Sequence, residues 1–584
     1  MLLVFTLTLW VGLAWSLPSL PSQWGLTGAP PECKEAELAP GTNLAGEGYD
    51  IVTLERKGSY VIDSKEWRKK DKTCTLVHNP YLENKLQKVP LSVVDWRATE
   101  ECKMKVSSSL YQSSDALVSS NKDEVSDNWK VNLDVDAKRA AGKVMLAGTQ
   151  SKVAQYSMNK SKQDKFSFTS QQVSCRYYSY RLSSKARLSS EFNRDLQNLP
   201  KVYNGQTKAA FYKLINTYGT HFIKQVQLGG RVHSVTSIRT CQAALQGLDS
   251  EEVRTCLDVE AQASVGGNSL SSEVKHCQEA RKNMESKSRF SSTFNDRFTQ
   301  ITGGHVSSPE LLFSSDKDPA AYQEWLQSLK TTPDIISYSL DALHELVRHK
   351  GPLKDNLRRA VSHYILEHAL LLNCSTRCPA GVKSNAGDPC ACVCHSNPGV
   401  NSACCPTQKG LSQVTVKVRR AHGLYGDYTT ATDSYVKVFL GSQQVGRTEV
   451  VYNNNDPRWG ATFDLGSQTL TMGSQVKFEV WDEDNKWDDD QLGACEVPLR
   501  RGIVDNICRL NHGELYYSLQ VDCAPSLGGP SCSEYVNTPM DATLQEVYVS
   551  RHAQPLPRPL LAQMGVVFAD PVGLNASQPA SKRN

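Results

Sequence analysis

Two short stretches concentrate carboxylates at a spacing suited to a hard cation. Residues 424–433 read Leu-Tyr-Gly-Asp-Tyr-Thr-Thr-Ala-Thr-Asp, and residues 481–490 read Trp-Asp-Glu-Asp-Asn-Lys-Trp-Asp-Asp-Asp. Calcium takes about six to eight oxygen ligands in flexible geometry, so acids from two loops at one end of a scaffold can surround it. A solvated acidic loop is the plainer alternative for one such run. Tyr425, Tyr428 and Trp487 stand among these acids. Aromatic rings beside a cation site suit the headgroup boundary of a bilayer. No G-x-S-x-G, H-E-x-x-H or P-loop pattern occurs, which argues against an enzyme.

A scaffold for the acidic loops is legible around them. Val414, Val416 and Val418 alternate with polar residues, as do Tyr435, Lys437 and Phe439 with Val436, Val438 and Leu440; residues 477–481 form another strand. The pattern predicts a β-sandwich over 411–523, with Trp459 packed inside it. Upstream, Phe211, Leu214, Ile215 and Tyr218 share one helix face, and Gly219 is placed to end that helix. A strand follows, with Val226, Leu228, Val232 and Ile238 on one face and Gly229-Gly230 in its middle. Paired glycines inside a strand mark a bend or a close backbone approach.

The stretch from Tyr212 through Tyr218-Gly219-Thr220-His221-Phe222, with Gly229 and Gly230 beyond it, resembles the signature of the membrane attack complex/perforin family. His221 taken alone reads as a core histidine. The resemblance implies an α+β fold over 17–373, a bent, twisted antiparallel sheet flanked by two helical clusters that unwind into membrane-crossing hairpins. Residues 374–410 resemble an EGF-like module and 411–523 a C2 domain. By that second resemblance Asp427 and Asp433, with Asp482, Asp484 and Asp490, fall at C2 calcium-ligand positions, and Asp489 is the near alternative to Asp490. By the first resemblance, Lys213 and Asp341 occupy positions expected to face each other across neighbouring copies.

The candidate membrane-crossing segments carry mixed signals. Trp129, Val131, Leu133, Val135 and Ala137 alternate with polar residues as a half-buried strand does, and so do Val259, Ala261, Ala263 and Val265. Phe290, Phe294, Phe298 and Ile301 read as a helix face. Four-residue spacings keep side chains together in either state, so the segments suit amphipathic helices in a monomer and strands later. A tilted strand crosses a bilayer in ~9–11 residues. Unpaired backbone in lipid costs several kcal/mol per group, so hairpins must close a barrel with those of other copies. Residues 302–373 return to helix, with stripes at Tyr322, Trp325, Leu326 and Leu329, and at Leu357, Val361, Tyr364, Ile365 and Leu372.

The rest bounds compartment and partners. Sixty-five Lys and Arg against 61 Asp and Glu leave a net charge of +4, too balanced to argue for nucleic acid. Residues 1–16 read as a secretory signal. In an exported chain the eighteen cysteines read as disulfides rather than zinc ligands: Cys33, Cys74, Cys102, Cys175, Cys241, Cys256, Cys277, Cys374, Cys378, Cys390, Cys392, Cys394, Cys404, Cys405, Cys495, Cys508, Cys523 and Cys532. Their connectivity stays open except that Cys523 and Cys532 are expected to pair. Sequons mark Asn373 and Asn575 for glycosylation; a third, at Asn159, falls inside a candidate hairpin, so either Asn159 is unmodified or that hairpin ends differently. Residues 17–32 and the tail 524–584 read as irregular. The expectation is a secreted, calcium-dependent, pore-forming cytolytic protein, stored in granules. Its partners are the target phospholipid membrane, further copies of itself in a ring, and co-released serine proteases. The alternative is a non-lytic membrane-binding or adhesion protein on the same fold.

Overall fold

The computed structural model describes residues 24–569 apart from 104, 121–124, 126, 136–139, 141, 285–286, 308, 314–318, 349–350, 373, 375–376, 379–380, 384–389, 391, 396–398, 427, 429, 485–487 and 541–551. Strands β1 (Val93–Cys102), β2 (Ser107–Tyr111), β3 (Lys143–Met145), β4 (Phe166–Leu182), β5 (His221–Arg239), β6 (Arg297–Thr302), β7 (Asp334–Ala342) and β8 (Leu370–Leu372) build the first domain. Its helices are α1 (Lys152–Gln163), α2 (Lys208–Tyr218), α3 (Ser250–Ser264), α4 (Ser271–Asn283) and α5 (Pro352–Glu367). Strand β5 is the spine. It pairs antiparallel with β4 from Gln225 to Arg239, and on its other side with β7 and then β6. The outer edge of β4 carries β1 and β2. Helical insertions therefore leave this sheet twice, between β2 and β4 and between β5 and β6.

Local chemistry explains the spine. Phe211, Leu214, Ile215 and Tyr218 bury the inner face of α2, and Gly219 ends it at φ +82°, a conformation that favours glycine. Midway along β5 the ladder to β4 shifts register between Leu228 and Gly229. A Cβ on Gly229 would lie 1.9 Å from the Cys175 carbonyl oxygen, and one on Gly230 would lie 2.5 Å from the Trp325 ring. The glycine pair lets the sheet bend while the helix Ala320–Ser328 fills the space against it.

The second domain is a sandwich of β9 (Leu411–His422), β10 (Ser434–Leu440), β11 (Gln443–Arg447), β12 (Arg458–Thr469), β13 (Gln475–Asp482), β14 (Asp490–Pro498), β15 (Gly502–Arg509) and β16 (Glu514–Cys523). Its sheets run β12-β9-β16-β15 and β11-β10-β13-β14 around Val414, Val416, Val418, Val436, Val438 and Phe478. Trp459 packs against this core and donates its Nε1 hydrogen to the Ser434 carbonyl. All eighteen cysteines are bridged: Cys33–Cys74, Cys102–Cys175, Cys241–Cys405, Cys256–Cys277, Cys374–Cys390, Cys378–Cys392, Cys394–Cys404, Cys495–Cys508 and Cys523–Cys532. Cys390, Cys392 and Cys394 thus hold disulfides, not zinc.

Four expectations are corrected and one is met. Residues 127–130 form a 3-10 turn, and Val131 is 59% exposed, so the Trp129 segment is no strand in this state. Val259 to Ala263 lie inside α3, the helical state expected of this insertion in a monomer, and Asp249 and Glu252 cap that helix reciprocally. The helix at Phe290 stops at Thr293, and Phe298 and Ile301 belong to β6. Residues 334–342 are strand β7, and Leu372 lies in β8 rather than on the α5 stripe. Neither end is irregular throughout: Leu26–Gly28 pairs with Cys74–Leu76, and in the tail β17 (Ala553–Pro555) pairs with β8 while α6 (Arg558–Gln563) follows, burying Leu556, Leu561 and Val566. Residues 1–16, Asn373 and Asn575 lie outside the described residues.

Gly229→Ala is expected to cost about 1–3 kcal/mol through overpacking against the Cys175 backbone. Gly473→Ala, whose Cβ meets nothing within 4 Å, is the control. Thermal melts of the two secreted variants check this; equal midpoints would remove the close approach as the reason for the glycine.

Candidate functional site

Two regions carry the chemistry. In the sandwich, Asp433 immediately precedes β10, Asp482 closes β13, and Asp490 opens β14 directly across the ladder from Asp482. The Asp433 backbone N–H donates to Asp482 Oδ1 at 2.6 Å, and Asp433 Oδ1 accepts from the Asn453 N–H at 2.6 Å. Asp482 is buried while Asp484 is exposed. A Cβ on Gly426 would lie 1.8 Å from Asp482 Oδ2, so the first acidic loop passes directly over that carboxylate. Asp489 instead accepts the Tyr435 hydroxyl at 2.7 Å, an arrangement that, after burial, raises the phenol well above its ordinary pKa. Tyr425 and Tyr428 are 44% and 95% exposed, with their rings edge to face at 5.9 Å.

Asp427 and Trp487 lie outside the described residues. Among the described residues no three His, Cys, Asp or Glu side chains are arranged to hold a metal. The donor chemistry nonetheless suits calcium. Asp433 and Asp482, one from each acidic loop, meet at one end of the sandwich, and Gly426 lets the first loop lie close to the Asp482 carboxylate.

A third loop was missed from sequence. Asn455 Oδ1 accepts from both the backbone and the hydroxyl of Thr432, and the Asn455 carbonyl accepts from the Leu424 N–H. Residues 453–456 therefore brace the first acidic loop. Asn453 at φ +53° marks the turn, and the run Asn-Asn-Asn-Asp-Pro was the available signal.

The other region is the seam between the bent sheet and its helical insertions. His221 is fully buried. Its Nε2–H donates to the Trp129 carbonyl at 2.9 Å, which leaves Nδ1 to accept the Thr220 hydroxyl at 2.8 Å. The signature histidine thus pins the first insertion to the spine. Tyr212 and Tyr218 donate their hydroxyls to Glu367 and Asp195, each at 2.8 Å. Asn132 Nδ2 donates to Glu345, Tyr156 to the Asp296 carbonyl, and Lys160 pairs with Asp296. Within the second insertion the Glu260 carboxylate accepts the Phe290 and Ser291 N–H groups at 2.9 Å; the insertion is tied to the sheet by Gln262, which accepts from the Val106 N–H, and by Asp258, which accepts from Gln171 Nε2 on β4 at 3.0 Å. Such contacts are individually modest, about 0.5–1.5 kcal/mol between neutral groups and about 1.5–3 kcal/mol where a carboxylate accepts. Lys213 is exposed on α2, whereas Asp341 pairs within the chain with Lys224 at 2.7 Å.

Comparison with known proteins follows this division. A family model described as MAC/Perforin domain matches residues 38–370, one described as Perforin-1-like, EGF domain matches 373–407, and one described as C2 domain matches 412–515. The chain is 40% identical to Perforin-1 of Rattus norvegicus over 509 residues, covering 86% of this chain and 92% of the relative. It is also 40% identical to Perforin-1 of Homo sapiens over 515 residues, covering 87% and 93%. The Complement component C8 alpha chain of Oryctolagus cuniculus is 23% identical over 412 residues, covering 64% and 67%.

His221 provides a test of the seam. Burial, with a further push from nearby His344, lowers its pKa to about 4 although its bond to Trp129 works the other way. Above pH 6.5 the folded and unfolded chains both keep the ring neutral and stability is flat. Between 6.5 and 4 only the unfolded chain takes the proton, so stability falls by up to about 1.4 kcal/mol per pH unit for this group; below 4 the loss stops. His221→Gln is expected to shrink the drop in melting temperature between pH 7 and pH 5. An unchanged drop would contradict the assignment.

Proposed function

The chain belongs to the membrane attack complex/perforin family, and from that premise we propose that it is a secreted, calcium-dependent, pore-forming cytolytic protein. It works through residues 17–373 as the pore-forming unit, 374–410 as a connector and 411–523 as the membrane-docking unit. The observation that carries the reading is the seam: each of two insertions begins and ends in adjacent strands of one bent sheet and lies folded back on it, its apolar residues sharing the core of the sheet and its polar ties including the Trp129 carbonyl and Gln262.

Calcium is held by Asp427, Asp433, Asp482, Asp484 and Asp490, with Asp489 as alternate, and supplies positive charge at the loop tips for anionic headgroups. Asn453 and Asn455 keep the loops apart and presented. Tyr425, Tyr428 and Trp487 enter the headgroup boundary, where amphipathic rings are at home. Docked copies then meet edge to edge. Asp341 leaves Lys224 for Lys213 of the neighbouring copy, and the insertions let go of the sheet and pair as strands, since lipid tolerates only closed ladders. The ring kills the target cell or admits co-released proteases. Storage in cytolytic granules precedes release, and Asn373 and Asn575 carry glycans.

Release of calcein from phospholipid vesicles is the decisive measurement. Release that needs calcium supports the reading; vesicle binding without release would favour the adhesion alternative. Asp433→Ala and Asp484→Ala are expected to lower calcium-dependent vesicle binding at least tenfold while leaving the melting temperature of the first domain unchanged. Lys213→Asp should bind vesicles but release at least tenfold less dye, and Asp341→Lys on the same chain should restore part of it. Failure of the double variant to recover would remove this pair from the interface.

A further inference from the structure

The second insertion is tied across its middle by Cys256–Cys277, which joins α3 to α4. A crosslink inside a segment that must change from helix to strand looks like an obstacle. The register of the sheet says otherwise. Strands β5 and β6 pair from Arg231↔Thr302 to Thr236↔Arg297 without a shift. Carrying that ladder onward by twenty steps, from 236 to 256 on one strand and from 297 to 277 on the other, places Cys256 directly opposite Cys277. Nine further steps bring Val265 opposite Asn268 and leave two residues unpaired at the tip: Gly266 and Gly267. Gly-Gly is a favoured two-residue hairpin turn, and Gly266 already stands at φ +77°.

Resting on the pore-forming reading above, we infer that the Cys256–Cys277 disulfide stays closed through insertion and sets the register of the second hairpin, one uninterrupted ladder from Arg231↔Thr302 to a Gly266-Gly267 turn. Three separate features agree on this register: the ladder already formed, the position of the disulfide, and the position of the glycine pair.

The geometry suits a closed bond. Pairs alternate between hydrogen-bonded and non-hydrogen-bonded from the turn upward, beginning with a bonded pair at 265 and 268, so 256 and 277 form a non-hydrogen-bonded pair. Such partners have Cα atoms about 4.5 Å apart, against 5.4 Å between α3 and α4, and disulfides span about 4.4–6.8 Å. The bond therefore survives with a shift of about 1 Å. The chain already contains this arrangement, because Cys102 and Cys175 are direct ladder partners of β1 and β4.

The side chains sort correctly in this register. Leu257, Val259, Ala261, Ala263 and Val265 share one face, and Val274 falls opposite Val259 on it. The other face carries the disulfide, Gln262 opposite Ser271, and Asp258 opposite Lys275. Glu260 meets Glu273 there, tolerable only because that face looks into water; Ser272 interrupts the apolar stripe, whose two ends carry Asn268 at the turn and His276 beside the disulfide. From Cys256 through Val265 is ten residues, about 33 Å of strand, or about 25 Å of bilayer depth at the tilt of a membrane barrel. The disulfide then lies at the near interface, with the glycine turn on the far side.

The test uses the full chain on calcein-loaded phosphatidylcholine vesicles with calcium and without reductant. After release, pores are denatured, free thiols are alkylated, and peptides are read by mass spectrometry. Cys256 and Cys277 are expected in one disulfide-linked peptide; their recovery as alkylated thiols would overturn the inference. A second measurement adds Gln246→Cys with Lys287→Cys, ladder partners at a non-hydrogen-bonded site, or Gln246→Cys with Arg289→Cys, two residues out of step. Oxidation after release should crosslink the first pair within a chain at least tenfold more than the second. Equal yields, or an excess of the second, would overturn the register while leaving the pore standing. No release by the wild-type protein would overturn both.

Discussion

A backbone that enters lipid must arrive with its hydrogen bonds already made. Strand β5 is how this chain meets that demand. It runs from His221 to Arg239 without interruption, paired on both sides, and hands the chain directly to an insertion at one end. Whatever leaves at Arg239 returns at Arg297 on the neighbouring strand, so the ladder between them is begun before the membrane is met. The bend at Gly229 and the anchoring of Trp129 by His221 serve the same spine: one lets it curve, the other keeps its first insertion folded back.

The soluble state is therefore held by contacts of a particular kind. The insertions are not loosely packed, since Val253, Cys256, Leu257 and Ala261 are fully buried. Their attachment to the sheet also runs through acceptors such as Gln262, the Asp296 carbonyl and the Trp129 carbonyl, each of which can exchange its partner for water at modest net change. The apolar side chains of α3 lose a core but gain lipid in the strand form, which leaves the sign of the transition to the gain of ladder pairing between copies.

Local features were readable from the chain and distant ones were not. The end of α2 at Gly219 and the strands around the acidic loops follow from spacing within a dozen residues. Helix over residues 250–264 is the expected monomer state, and a capping pair at Asp249 and Glu252 favours it over the alternation in the absence of a partner strand. The tail was misread because its partner β8 lies far upstream, and no local pattern in Ala553–Pro555 announces a pairing with Leu370–Leu372. Asn455 was overlooked because a bracing side chain carries no charge signature.

The route of the chain after the sandwich has one more consequence. Lys165 Nζ donates to the Ala403 carbonyl and Cys241 is bridged to Cys405 on the way in; on the way out, Tyr535 and the Thr538 N–H both bond Asp164, and Arg239 bonds Asn537. Entry and exit are thus moored to the same corner of the first domain, where β4 begins and β5 ends. A body fixed at two points beside each other cannot swivel like a bead on a string. In the docking proposed above, the seating of the acidic tips would also set the tilt of the pore-forming sheet over the bilayer, so that neighbouring copies would arrive already upright and facing the same way.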